Sequence, residues 1–230
     1  MKLLIVCLFF SFFTFSQNFK SIKVEYSTIL EPVLTKKYDD DKFNELNRKI
    51  NESLNNKSFY LEANSKGFIF SESEIIRKDE EQEKIEKLAN SIYTINSFYY
   101  SKSGNELYKV LDDVSIKVNN EFNWILLEDS KTIDNYICYK ATCTISFKTR
   151  YSGTGTKEIT VWYTPEINFN YGPNGYMGLP GLILELEYNK TKLVAKKIEF
   201  FKEENKIYIP NNKIITEEEY IKKLKENSPF

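Results

Sequence analysis

The chain of 230 residues contains no histidine. That absence excludes every Ser-His or Cys-His nucleophilic pair and every His-ligated zinc or iron site. Cysteine is scarce, with three in all, and no two form a CxxC pair. Neither a thioredoxin-like motif nor a thiolate metal site is therefore supported. There is no GxSxG nucleophile elbow, no phosphate-binding glycine loop and no dinucleotide fingerprint. No long basic block breaks the balance of 32 basic against 33 acidic residues. An electrostatic footprint for nucleic acid is thus missing. Internal repeats and low-complexity linkers are absent too. No metal or cofactor is expected from such a residue set.

What the chain has in quantity is aromatic residues, 15% of the total, with 16 Tyr and 17 Phe. Aromatics favour strands. The length suits one sizeable core, as in many all-β domains. Met1 to Ser16 reads as a secretory signal: Lys2 supplies the positive end, and Leu3 to Phe15 is an apolar run too short to span a bilayer. Removal after Ser16 is expected, without lipidation of Cys7. Residues 17–230 then form a single domain with no transmembrane segment.

Ile22, Val24, Tyr26, Thr28 and Leu30 alternate with polar residues and form a first strand that ends near Pro32. Asp39, Asp40 and Asp41 cap a first helix, along which Phe43, Leu46, Ile50 and Leu54 share a side. The calcium reading of these aspartates fails for want of EF-hand spacing. Phe59–Ala63 and Gly67–Ser71 make a hairpin about Asn64–Gly67. A second helix starts at Asp79, with Gln82 at capping-box spacing and a stripe of Ile85, Leu88, Ala89 and Ile92. Strands follow over 98–102, 106–111, 114–118 and 122–128, and then a long amphipathic strand over Ile137–Tyr151. After a turn at Gly153–Thr156, Ile159, Val161 and Tyr163 face the core and Trp162 faces away. A strand over Val194–Phe201 is joined through Asn189-Lys190 to the one before it. Thr216 and Glu219 form a capping box for a C-terminal helix that docks through Tyr220, Ile221 and Leu224.

The chain is organised around Tyr171–Tyr188, YGPNGYMGLPGLILELEY. Four of the eight glycines (Gly172, Gly175, Gly178, Gly181) and two of the six prolines (Pro173, Pro180) lie within it. Leu179-Pro180-Gly181-Leu182 has the residues of a type II turn. Tyr176, Met177 and Leu179 are apolar, so the loop is expected to fold back on the sheet and pack there. Trp162, on the polar side, needs a cover, and this loop is the natural one. Leu182, Leu184, Leu186 and Tyr188 alternate with Ile183, Glu185 and Glu187 as a half-buried strand.

VWYTPEI at Val161–Ile167, the YGP that follows, GLPGLILEL at Gly178–Leu186 and the upstream IDNYICYKAT at Ile133–Thr142 together resemble the GLPGLI family. The resemblance covers the C-terminal half. It implies an exported protein of the Gram-negative envelope type, with no molecular activity assigned. Cys138 resembles a position at which the family often carries cysteine.

Cys138 and Cys143 lie five residues apart on one strand, roughly 16 Å and on opposite faces. A disulfide needs Cα atoms within about 7 Å. Two unpaired thiols are expected, with Cys143 buried and Cys138 a candidate thiol site. Glu185 and Glu187 share a face about 6–7 Å apart, and Glu166 is near in sequence; a glycosidase-like carboxylate pair is the enzymatic alternative.

The fold expected is α+β, mostly β: a large curved antiparallel sheet of about eight to ten strands, shaped as an open half-barrel. Two N-terminal helices and one short C-terminal helix pack with it. The function expected is that of a non-enzymatic exported protein, periplasmic or associated with the outer envelope. It binds an apolar small molecule or an envelope protein through the aromatic concave face. The residues expected to form the binding or structural loop are Trp162, Tyr163, Pro165, Gly172, Pro173, Gly178, Leu179, Pro180 and Gly181. A purely structural or interaction module is the alternative outside enzymology.

Overall fold

The computed structural model describes residues 19–30, 40–73, 79–92, 95–111, 113–148, 153–188 and 191–226. The expected leader over 1–16, Pro32, Asp39, the end of the long strand at 149–151 and the Asn189-Lys190 joint lie outside them.

Twelve strands form one open sheet among the described residues. In chain order they are β1 (Ser21–Leu30), β2 (Ser58–Asn64), β3 (Gly67–Glu72), β4 (Ser97–Ser101), β5 (Glu106–Val110) and β6 (Val114–Val118). There follow β7 (Ile125–Ile133), β8 (Tyr136–Lys148), β9 (Thr154–Thr164), β10 (Leu182–Tyr188), β11 (Thr191–Phe201) and β12 (Lys213–Thr216). Across the sheet the order is β12-β6-β5-β4-β3-β2-β1-β11-β10-β9-β8-β7. Two meanders, β1–β6 and β7–β11, therefore meet where β1 pairs with β11, Ser21 opposite Phe201.

The fold is α+β and mostly β, as the strand periodicity and aromatic load imply, but the sheet is larger than eight to ten strands. One addition is β12, four residues too short to show an alternation in sequence. Its pairing with β6 is also the one parallel pairing among the described residues. A second departure concerns residues 122–128. Residues 119–124 form no strand and link β6 to β7, and the regular strand starts at Ile125. Phe122 and Trp124 leave the sheet plane because their rings pack on Tyr176, at 5.3 and 6.3 Å between centroids.

The helices are α1 (Asp41–Asn55), α2 (Glu80–Ile92) and α3 (Glu217–Glu226). Asp40 caps α1 by accepting from the N–H groups of Lys42 and Phe43. Asp79 accepts from Gln82 N–H at the start of α2. Such caps satisfy donors that the first helical turn leaves free. Ile50 and Leu54 of α1 meet Ala89 of α2, with Ile85 beside them. Phe43, Leu46 and Leu88, on the expected apolar stripes, stay exposed at the rim of this small cluster. The capping box of α3 is closed in both directions, Thr216 N–H to Glu219 Oε2 and Glu219 N–H to Thr216 Oγ1. This helix buries no residue fully; Tyr220 alone of the three expected docking residues packs on the cluster of Val114, Ile116 and Ile215.

The main core lies on the inward face of the curled sheet. Ile22, Val24 and Tyr26 of β1, Phe59 and Leu61 of β2, and Phe68 and Phe70 of β3 are all buried there. From the other meander come Ala141, Cys143, Ile159, Val161 and Tyr163.

β10 departs from the half-buried pattern: Leu182 to Leu186 are buried without a break. The cause is a bulge. Ile183 opposes Tyr163 and the next paired residue, Glu185, opposes Trp162. The extra residue, Leu184, shifts the alternation, so Leu182, opposite Thr164, and Leu186, opposite Val161, are buried on opposite faces.

Candidate functional site

The stretch between β9 and β10 is a loop that enters the concavity of the sheet. Pro165 and Glu166 form a tight turn outside the strand end. Ile183 N–H then donates to Tyr171 C=O at 3.0 Å and Gly178 N–H to Asn170 C=O at 2.9 Å, which holds the two arms of the loop together. At its tip, Pro173–Gly175 makes one 3-10 turn, with Tyr176 N–H donating to Pro173 C=O. Asn174 and Gly175 both adopt positive φ there. That conformation suits asparagine and glycine.

The loop is fastened from both meanders. Tyr171 packs its ring at a tilt on Phe68 of β3 and Tyr100 of β4, at 5.1 and 6.0 Å between centroids. The backbone at Gly175 lies so close to Phe98 of β4 that a Cβ would come within 2.8 Å of its ring. Asn174 donates to the Tyr188 hydroxyl of β10 at 3.3 Å. From the β6–β7 link, Trp124 Nε1 donates to Met177 C=O at 2.9 Å. Tyr26 Oη reaches across from β1 and donates to Ile183 C=O at 2.6 Å. Tyr176 and Leu179 are buried, each contributing on the order of 2 kcal/mol. Burial raises the phenol pKa of Tyr171 and Tyr188 to about 12 and pushes Tyr26 and Tyr176 higher still.

Two expectations for this loop are corrected. The Leu179–Leu182 segment is not a type II turn: Gly181 N–H donates to Leu179 C=O at 2.8 Å, a γ-turn centred on Pro180. Gly181 has φ of 147°, and its backbone lies on β9, where a Cβ would fall 2.0 Å from Thr164 C=O. Close approach to a strand, rather than the dihedral of a type II turn, is what requires glycine. The loop also does not cover Trp162. It packs on the inward face, while Trp162 points outward. There the Lys131 ammonium sits 4.2 Å above the Trp162 ring centroid and Lys140 stands at 6.0 Å.

The sequence-selected residues therefore divide between two faces. Tyr163, Gly172 and Leu179 belong to the inward cluster or its floor; a Cβ on Gly172 would meet Ile183 at 2.6 Å. Pro173 sits at the buried tip, and Gly178 beside Trp124. Trp162 and Cys138 lie outward, with Pro165 in the turn at the strand end. Cys138 pairs in register with Lys131 and is fully buried, although its strand position alternates with polar residues. Its thiol donates to Tyr136 C=O at 3.6 Å, near the Ile133 backbone. Cys138 and Cys143 carry no bond to each other, and burial pushes both thiols up to about 11.

The three glutamates serve as structural partners. Glu185 is buried and accepts from Lys131 at 2.8 Å and Lys192 at 3.3 Å. Glu187 is exposed beside Lys192, and Glu166 accepts from Ile137 N–H at 2.9 Å.

Sequence reasoning missed Phe68, Phe98, Tyr100, Phe122 and Trp124 as loop partners. A groove of about 790 Å³ runs beside the loop at the end of the sheet where β2 turns into β3. Tyr100, Phe169, Tyr171, Met177 and Gly178 line its apolar part, and Lys20, Lys102 and Glu204 its rim. No helix among the described residues is long and apolar enough to cross a membrane.

A family model described as a protein of unknown function (Porph_ging) matches residues 148–185, which take in β9, the loop and the start of β10. No curated protein matches this chain. Among solved structures, PNGF-II resembles it in two crystal forms. One has a TM-score of 0.50 and 14% identity over 90% of this chain and 34% of that one. The other has 0.49 and 13%, over 90% and 33%. This chain thus spans about a third of the length of PNGF-II. LprF from Mycobacterium bovis has a TM-score of 0.29 and 10% identity, over 84% of this chain and 89% of that one.

Proposed function

We propose that this chain is an exported envelope protein of the GLPGLI type that acts by binding rather than catalysis. Its site is the inward face of the sheet. Its ligand is an apolar small molecule or an apolar segment of an envelope protein. The observation that carries this reading is the aromatic wall of Phe68, Tyr100 and Tyr171, which continues past the loop into a groove of about 790 Å³. Concave, mostly apolar sites with a few polar groups at the rim are the usual form of small-molecule sites. The acid, base and nucleophile candidates are engaged elsewhere. The glutamates are ion-paired or bonded to backbone, and the thiols are buried and protonated at neutral pH.

One observation favours a second reading, a structural or interaction module: the loop already buries Tyr171, Tyr176 and Leu179 in the concavity. Native mass spectrometry of protein purified from its own cell envelope separates the two. A reproducible extra mass released by organic solvent is the outcome expected of a binder. A bare chain mass under gentle desolvation sinks the binder and leaves the module. Fractionation with N-terminal sequencing tests export, with Gln17 as the expected first residue.

A further inference from the structure

The inward face carries two cations that no carboxylate among the described residues meets. Lys109 of β5 opposes Phe98 and Ile116 and shares its side of the strand with the buried Leu107. Lys157 of β9 opposes Ile145 and shares its side with Ile159 and Val161. Both side chains therefore point into the concavity. They do so at the end where β5 finishes and β9 begins, beyond the tip of the loop.

The Lys157 ammonium stands 5.0 Å over the ring of Tyr188, whose hydroxyl holds the loop tip through Asn174. On the other side, the loop tip lies against Phe98, the cross-strand neighbour of Lys109. Neither lysine has an ion pair among the described residues. Among the described residues, the first turn of α3 brings acidic groups near: Glu218 is engaged by Lys148, and Glu217 acts on Lys109 from beyond ion-pair reach. Lys57, by contrast, is buried with Glu72 at 2.7 Å and Glu86 at 3.3 Å. Burial pulls the pKa of both inward lysines down, and the charge of Lys109 lowers that of Lys157 further. Two like charges that repel each other stand beside Phe98 and Tyr188, neither of them paired among the described residues, and that setting suits an anion.

We propose that Lys109 and Lys157 together bind a single carboxylate or phosphate group at this mouth of the concavity, with Phe98, Ile145 and Tyr188 as the adjacent apolar surface. As the head of an amphiphile, that group names the ligand class of the binding function above, and to that extent the inference rests on it.

Calorimetric titration of the full mature chain with dodecanoate, dodecyl phosphate, inorganic phosphate and dodecanol tests it. The variants are Lys109→Met, Lys157→Met and, as an outward control, Lys140→Met. Each inward substitution is expected to weaken the anionic probes at least tenfold, and the control to change them less than twofold. Dodecyl phosphate binding more tightly than inorganic phosphate assigns the group to an amphiphile; equal binding assigns it to free phosphate. Urea unfolding guards against a folding artefact. Removing one of two repelling charges leaves the midpoint unchanged or raises it. The proposal is overturned if no anionic probe binds, or if binding survives both inward substitutions. Dodecanol binding that matches dodecanoate in all four proteins would keep the apolar site and remove the anion site. Phosphate binding lost in both inward variants, with no dodecanol binding, would do the reverse.

Discussion

Replacing Tyr26 by Phe removes one oxygen and nothing else from the centre of the molecule. The ring is fully buried and meets Phe70 at 6.3 Å between centroids, so the substitution opens no cavity of consequence. What it deletes is the 2.6 Å hydrogen bond to Ile183 C=O. That carbonyl sits where the β9–β10 register slips, next to the extra residue Leu184. The ladder is interrupted at a bulge, so a partner from outside the β9–β10 ladder is needed. An orphaned buried acceptor costs about 1–3 kcal/mol, against about 1 kcal/mol for an average exchangeable hydrogen bond. Urea unfolding followed by tryptophan fluorescence should therefore show Tyr26→Phe destabilised by about 1–3 kcal/mol with an unchanged slope. Tyr100→Phe is the internal comparison. Its hydroxyl donates to Asn105 in an exposed turn, so water replaces the partner and the expected cost is below about 1 kcal/mol. Equal losses in the two variants, or a loss below about 0.5 kcal/mol in Tyr26→Phe, would refute the claim that this phenol completes the bulge.

Three further outcomes follow from the same packing. Alkali should weaken the fold. The buried tyrosines and both thiols hold their protons in the folded state above the pKa values of the free groups, near 10 and 8.5. Above those values the unfolded chain binds fewer protons, and stability falls as pH rises. Denaturation midpoints should be flat to about pH 8, then drop continuously toward pH 11, and a midpoint that rises over that range contradicts the burial argument. Gly181→Ala, facing Thr164 C=O at 2.0 Å, should lose about 3 kcal/mol or more or fail to accumulate. Gly178→Ala, with nothing nearer than 4.0 Å, should lose only the about 1–2 kcal/mol of a positive φ, which thermal unfolding can resolve. A thiol reagent should leave Cys138 and Cys143 unmodified in the native protein and label both in urea; rapid native labelling at either would show that its cover opens.

Much of the secondary structure was legible because its causes are local. Asp40, Asp79 and the Thr216–Glu219 pair cap helices through neighbours three residues away or fewer. The Asn64–Gly67 hairpin and the alternation of β1, β8 and β9 are equally short-range. The loop was legible as a packed element from its apolar residues, but not the face it occupies. Trp162 on the polar side calls for a cover, and the ammonium groups of Lys131 on β7 and Lys140 on β8 stand over its ring instead of the loop. The bulge at Leu184 left no mark either, since LILELEY reads as regular alternation. Nor did the departure of Phe122 and Trp124 from a strand, which Tyr176, some fifty residues later in the chain, brings about. The lysine pair had no signal at all: Lys109 and Lys157 are ordinary alternating positions until the sheet curls.

The position of β1 has a bearing on the order in which the chain can assemble. Its first partner, β2, follows directly, and the strands to β6 come in succession, so half of the sheet can zip by neighbouring contacts as the chain emerges. Its second partner, β11, emerges near the end, and Ser21 must wait for Phe201. Until then the β1 edge, with its row of unpaired N–H and C=O groups, is the most vulnerable line in the nascent molecule. Such late, long-range closure slows folding and lengthens exposure to wrong partners. The edge that a folding chaperone would have most reason to shield is therefore β1.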